Sequence, residues 1–203
     1  MASLEWREVV FSARDPETGT QTDILRNMSG RVEGGGTLAI LGPSGSGKSS
    51  LLKALAGQIR TTVGALHGRA TISGSVSLNN EESVSLQNYP FSEGVKLVSL
   101  IEQQDLFIGE VTVSEHLSFY AALRLFHLPR KQRQDRIAAI LRRLRLSHCQ
   151  HRKVYLLSGG EQKRLSVAEE LLNEQTSVLL LDEPTTGLDS VSAKEMVDIL
   201  CNN

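Results

Sequence analysis

The chain has 203 residues, 40% hydrophobic and 22% charged, with a formal net charge of −1. That length and apolar content allow one globular domain with room for an inserted subdomain, and they exclude a disordered chain. The near-neutral charge argues against a nucleic-acid binder that works by bulk electrostatics. The opening MASLEWREVV shows no secretory leader, and no apolar run approaches the roughly 20 residues that cross a bilayer. Cys149 and Cys201, far apart, read as reduced thiols of an intracellular protein.

Residues 4–13, LEWREVVFSA, mix β-favouring and polar residues and predict a strand, followed by a turn-rich RDPETGTQTD. Gly34 to Gly36 lead into TLAIL, a short apolar run of the kind a buried parallel strand needs. After GPSGSGKSS, the stretch SSLLKALAG predicts a helix closed by Gly57. Residues 60–98 lack helical period and predict short strands and loops. Ser114 is expected to cap SEHLSFYAALRLFHL, whose Leu117, Tyr120, Ala121 and Leu125 share a face before Pro129 stops it. A second helix, from about Lys131 to Leu146, carries Ile137, Ile140, Leu141 and Leu144 at core spacing.

Around that second helix stand Arg130, Lys131, Arg133, Arg136, Arg142, Arg143 and Arg145 against the single acid Asp135. A solvated face is the general reading, and a surface near anionic lipid headgroups is the sharper one. His148, Cys149 and His151 lack a second ligand pair and read as surface residues after a helix, not as a metal cluster.

GPSGSGKSS fits G-x-x-x-x-G-K-[ST] through Gly42, Gly47, Lys48 and Ser49. Through the small residues Gly42, Pro43, Ser44, Gly45, Ser46 and Gly47, backbone N–H groups can close round the β- and γ-phosphates. Lys48 neutralises phosphate charge, the Ser49 hydroxyl binds Mg²⁺, and Ser50 continues a helix whose positive end faces the anion. Further on, SVLLLDEPTTGLDS ends an apolar run in two acids. Asp182 is expected to hold Mg²⁺ through water, and Glu183 to polarise the water that attacks the γ-phosphate. A second glycine turn, LLSGGEQKR, stands before another helix whose Leu165, Ala168, Leu171 and Leu172 are expected to be buried.

Together, GPSGSGKSS, LSGGEQKR and LLLDEPTTGLD resemble the nucleotide-binding domain of ATP-binding cassette proteins, over nearly the whole chain. The resemblance implies an α/β fold: a P-loop NTPase (RecA-like) core with an N-terminal β subdomain and an inserted α-helical signature subdomain at about 104–172. It also implies that two such domains pack head to tail around two ATP molecules. Ser158, Gly159, Gly160 and Glu161 of one would then meet the γ-phosphate held by the Gly42 to Ser50 loop of the other. Gln103 of IEQQDLF matches the glutamine that reaches Mg²⁺ and the attacking water, with Gln104 the alternative register. Asp189 matches the loop that crosses to the partner, and Phe11 the aromatic stacked on adenine, a strand-core position being its alternative.

GEVTVSEHLSFYAALRL and DEPTTGLDS are most similar to the G, or White, subfamily of half-transporters, which export lipids, sterols, pigment precursors or xenobiotics. Leu157 and Gln162 are closer to the general cassette pattern, and Glu110 stands where an apolar residue is expected. The resemblance implies an ATPase using ATP and Mg²⁺ at the cytoplasmic face of a membrane. Its partners would be a second cassette and a transmembrane domain not present in this chain; no nucleic acid is expected. The family's histidine after the GLDS loop has no counterpart here, since none follows His151, which suggests a C-terminal truncation. Two alternatives stand beside it: an ATP-binding partner that hydrolyses poorly, and a soluble cassette ATPase acting on ribosomes or nucleic acid.

Overall fold

The computed structural model describes residues 3–15, 17–59, 69–79, 81, 83–87, 97–103 and 107–201. They fall into two compact units, one within 1–100 and 177–180, the other within 101–176 and 181–203.

The first unit is built on an antiparallel sheet in the order β2-β1-β3-β4, from β1 (Leu4–Arg14), β2 (Gln21–Val32), β3 (Ala70–Leu78) and β4 (Val84–Ser85). The connection expected over RDPETGTQTD is shorter than its composition suggests. Gln21, Thr22 and Asp23 already pair with Arg14, Ala13 and Ser12, because polar residues serve as well as apolar ones on a strand's wet face. Strand β1 carries an extra residue. Trp6 pairs with Gly30 and Val9 with Met28, while Arg7 pairs with Ser75 and Val10 with Ser73, so three steps on β1 oppose two on each neighbour. Glu8, at φ 53°, takes up this bulge, and Gly74 (φ 104°) faces it so closely that a Cβ there would meet three β1 backbone atoms at 2.8 Å. Leu4, Trp6, Val9, Phe11, Leu25, Ile72 and Val76 cluster with Leu51, Leu52 and Leu55 of the helix α1 (Lys48–Leu55).

Helix α1 closes as its sequence predicts. Gly57, at φ 66°, donates to the Ala54 carbonyl, and Gln58 donates to that of Lys53, the paired bonds of a Schellman turn. The strand expected at TLAIL does not form. Residues 37–41 make no ladder, and Leu38 and Leu41 are 50% and 90% exposed. Five residues have too little intrinsic preference to be a strand without a hydrogen-bonded neighbour. Of the elements expected over 60–98, β3, β4 and the start of β5 (Val98–Ile101) lie among the described residues; 60–68, 80, 82 and 88–96 lie outside them. Strand β5 pairs with β6 (Val178–Leu181). The bonds Val178 N–H to Leu97 O and Asp182 N–H to Ile101 O advance together, so the two strands run parallel.

The second unit packs α2 (Val113–Arg124), α3 (Arg130–Arg143) and α4 (Gly159–Leu171) against one another, with α5 (Ser190–Cys201) on α4. Its core includes Leu117, Ala121, Leu125, Ile137, Ile140, Leu141, Leu144, Leu165, Ala168 and Leu172; Tyr120 and Leu171, expected there too, are half-buried. The cap of α2 is Thr112, not Ser114. Its hydroxyl accepts the Glu115 N–H, and the Glu115 carboxylate accepts the Thr112 N–H in return. Glutamate three residues on selects the threonine. Helix α3 begins at Arg130 behind Pro129 and ends at Arg143, slightly before the expected boundary. Cys149, expected at the surface, is fully buried, its thiol donating to the Leu146 carbonyl, and burial pushes that thiol's pKa up.

Candidate nucleotide-binding site

In the first unit, the loop from Gly42 to Ser46 is exposed, and Gly47, at the start of α1, is half-buried. It turns on Gly45 (φ 78°) and Gly47 (φ 93°). A Cβ on Gly47 would stand 3.0 Å from both the Ile24 carbonyl oxygen and Leu25 Cδ2, so glycine there is required twice over, by φ and by the approach of β2. Ser46 donates its N–H to the Pro43 carbonyl, curling the loop, and Lys48 Nζ lies inside the curl, 3.0 and 2.9 Å from the Gly42 and Pro43 carbonyl oxygens. Helix α1 has Gly47 at its N-cap, no side-chain cap bond and no acid in its first turn. Its leading N–H groups and positive dipole end are therefore left to an outside acceptor, with Ser44, Ser49 and Ser50 beside them. An exposed glycine loop, a lysine inside it and an uncapped helix start fit a phosphate chain.

Phe11 does not belong to this site. It is buried in the sheet core, cross-strand from Leu25 and Ile72, because β1's alternation turns it inward. It has no free face for a base.

In the second unit, Asp182 and Glu183 follow β6 directly. Asp182 is buried, and Glu183 is exposed at φ 49°, a conformation glutamate rarely adopts. Glu183 Oε2 accepts from the Gln103 amide at 3.3 Å and from the Thr186 hydroxyl at 2.9 Å. Gln103 is itself fixed from behind, since Lys163 of α4 donates to the backbone carbonyls of Glu102 (3.0 Å) and Gln103 (2.9 Å). Sequence reasoning missed Thr186 and Lys163: neither stands out by type, and only folding brings them to the glutamate and the glutamine. Gln104 lies outside the described residues.

The second glycine turn opens α4. Ser158 is its N-cap, with the hydroxyl accepting the Glu161 N–H and the Glu161 carboxylate accepting the Ser158 N–H at 2.7 Å. Glu161 is buried, and its other oxygen meets His148 Nε2 at 2.9 Å and Arg152 at 3.5 Å. Burial alone would raise this carboxyl's pKa, but the Ser158 N–H, the His148 ring and Arg152 outweigh burial and hold it below the ordinary glutamate value. The Glu161 side chain is thus engaged in shaping the turn, and this differs from the phosphate contact that the resemblance implies for it. Ser158 and Gly159 remain exposed, and the N–H groups of Gly159 and Gly160 stand in the helix's first turn, where no intrahelical acceptor exists.

Asp189 caps the next helix, its Oδ1 accepting the Val191 and Ser192 N–H groups at 3.0 Å and its Oδ2 the Ser192 hydroxyl at 2.6 Å. The Ser192 hydroxyl, first among these donors, holds the Asp189 pKa below its usual value. Ser192 also covers Gly160, where an added Cβ would stand 3.2 Å from its own, and a Cβ on Gly159 would be 3.5 Å from Leu188. The signature turn and the Asp189 loop therefore share one surface.

The glycine loop and lysine at the start of α1, in a chain of mixed helices and strands, define the class of P-loop α/β domains. Residues 25–186 match the model of the ABC transporter family, and the chain belongs to that family. It is 37% identical over 204 residues to ABC transporter G family member 7 of Arabidopsis thaliana, an alignment covering 98% of this chain and 26% of the relative. It is 39% identical over 184 residues to protein white of Drosophila melanogaster (87% and 25%), and 35% identical over 207 residues to protein scarlet of the same fly (98% and 29%). The chain thus spans about a quarter of the length of these relatives.

Proposed function

We propose that the chain binds Mg-ATP and hydrolyses it as the motor domain of a G-type membrane exporter. The observation that carries this reading is the Glu183 carboxylate, set just beyond a parallel strand and bonded to Gln103 and Thr186. An exposed carboxylate aimed by two donors is suited to take the proton of an attacking water, and a glutamine amide beside it is suited to orient that water. The phosphates would lie on the Gly42 to Ser50 loop, with Lys48 turning from its carbonyl contacts to the β- and γ-oxygens. Mg²⁺, which when bound neutralises phosphate charge, takes hard oxygen donors, and Ser49 in the first unit and Gln103 and Asp182 in the second are each of that kind. The domain organisation follows the family: a P-loop core with an N-terminal β subdomain and a helical signature subdomain over about 104–172.

The second glycine turn finds its use between two copies or two related cassettes. The shared surface of Ser158, Gly159, Gly160 and Asp189 offers N–H donors to a triphosphate held by a partner's loop, so that ATP becomes part of the interface and stabilises it by mass action. A transmembrane domain would convert opening and closing into transport at the cytoplasmic side of a membrane. Glu183→Gln keeps the shape and both hydrogen-bond partners but removes the base. It should leave the affinity for a fluorescent ATP analogue within about twofold while phosphate release falls roughly 10²–10⁴-fold. Equal release rates for the two proteins would exclude Glu183 as the base.

A further inference from the structure

In the sequence, His148 and Cys149 have no further ligand pair, but the fold brings them a third donor from the next helix. The short 3-10 turn Ser147–Cys149 meets the first turn of α4 within the second unit. There His148 Nε2, Cys149 Sγ and a Glu161 carboxylate oxygen all lie within 4.8 Å of one another. His151, the other candidate, is exposed and stands outside this group. A nitrogen, a sulfur and an oxygen gathered in this way are the donor set of zinc, whereas Mg²⁺ takes oxygen.

These three atoms can bind a cation without undoing the fold. Glu161 caps α4 through Oε2, which accepts the Ser158 N–H, and it is the other oxygen, Oε1, that meets His148. The Leu146 carbonyl that accepts the Cys149 thiol also accepts the Cys149 N–H at 3.1 Å, so it keeps a donor when the sulfur gives up its proton. Arg152 reaches Oε1 only at 3.5 Å and has a second anchor in the Leu156 carbonyl. Zinc bonds of about 2.0 Å to nitrogen and oxygen and about 2.3 Å to sulfur, set tetrahedrally, space the ligand atoms by roughly 3.3–3.6 Å. His148 and Glu161 already stand at 2.9 Å. A wider pair closes by a shift on the order of 1 Å, for which the exposed His148 ring has room. Burial, and after it the Glu161 charge, push the Cys149 thiol's pKa up, with Arg152 and Arg164 opposing. A bound cation supplies the charge that lets the sulfur ionise, its proton leaving to water.

We propose that His148, Cys149 and Glu161 form a zinc-binding site beside the signature turn, with water as the fourth ligand, and that the ion ties the 147–149 turn to the start of α4. The site lies within one unit and does not rest on the ATPase reading. The test is titration of the reduced chain with Co²⁺ as a spectroscopic probe, followed by displacement with Zn²⁺. Wild-type protein should take up Co²⁺ with a thiolate charge-transfer band in the near ultraviolet and d–d bands of tetrahedral strength in the visible. Zn²⁺ should erase these bands, and a large excess of Mg²⁺ should not. The exposed Cys201 is the control thiol: Cys201→Ser should keep the whole spectrum, and Cys149→Ser should lose the charge-transfer band. His148→Ala removes an exposed ring and so spares the core; it should weaken Zn²⁺ binding at least about tenfold. Zn²⁺ should also raise the thermal unfolding midpoint of the wild type, and that of His148→Ala much less at the same metal concentration. Absence of the sulfur band, its loss in Cys201→Ser or its survival in Cys149→Ser would overturn the proposal. Equal Zn²⁺ affinity of the wild type and His148→Ala would overturn it too.

Discussion

Glu161 shows how one side chain serves two scales at once. Its carboxylate closes the capping box of α4 and gathers His148 and Arg152, while its own N–H is bound by Ser158. Because its folded pKa is depressed, the stability it contributes is fully present above the ordinary glutamate range, near pH 4.5, and is lost as pH falls below it toward the folded value. Glu161→Gln should therefore cost about 1–2 kcal/mol at pH 7, a cost that shrinks as the pH is lowered below about 4.5, read from urea unfolding along that series. Gly30 makes a steric point of the same size. A Cβ there would lie 2.3 Å from Trp6 Cζ2, so the indole of the paired strand rests on bare backbone. Gly30→Ala should destabilise by about 1–3 kcal/mol, and the Trp6→Leu, Gly30→Ala pair by less than the sum of its parts, since the smaller side chain makes room. Glycine and tryptophan are both visible in the sequence, but their stacking depends on a strand register that the bulge at Glu8 sets.

At the scale of elements, short-range chemistry decided the helices and long-range pairing decided the strands. Helix α1 ends on Gly57 and α3 starts behind Pro129, both legible because the constraint lies within a few residues. The cap of α2 lies two residues before the expected Ser114, because Thr112 and Ser114 are both competent caps and only Thr112 has glutamate three residues on. Thr112→Ala should cost about 1 kcal/mol in thermal or urea unfolding and Ser114→Ala a few tenths, the difference reporting the Thr112–Glu115 capping box. Strands offered no such local arbiter. TLAIL has the composition of a buried strand and makes no ladder, while QTDILRNMSGRV, read partly as turn, is the edge strand β2. Helix α4 also escapes a pattern reading. Glu161, Lys163 and Arg164 are all buried in it, each with a partner: the capping box, the Gln103 backbone, and Glu195 of α5.

For the molecule as a whole, the signature turn and the Asp189 loop share a surface beyond their capping roles, and the proposed pairing of cassettes would use it. In sedimentation velocity, the Glu183→Gln protein should pair when Mg-ATP is added, and Gly160→Glu in the same background should stay monomeric while still binding the nucleotide. An added side chain there both strains against Ser192 and sets a negative charge before the phosphate. Pairing that survives this substitution would rule out the sandwich.

The sequence by itself determined the family and the phosphate loop, because glycines, a lysine and acids in fixed order carry their chemistry in spacing alone. Only the tertiary structure decided that Phe11 is core, that Cys149 is buried, that Glu161 turns inward to its own cap, and that Lys163 and Thr186 attend Gln103 and Glu183. These facts depend on which residues distant in the chain arrive at the same place. Burial and pairing are properties of that arrival, not of residue type.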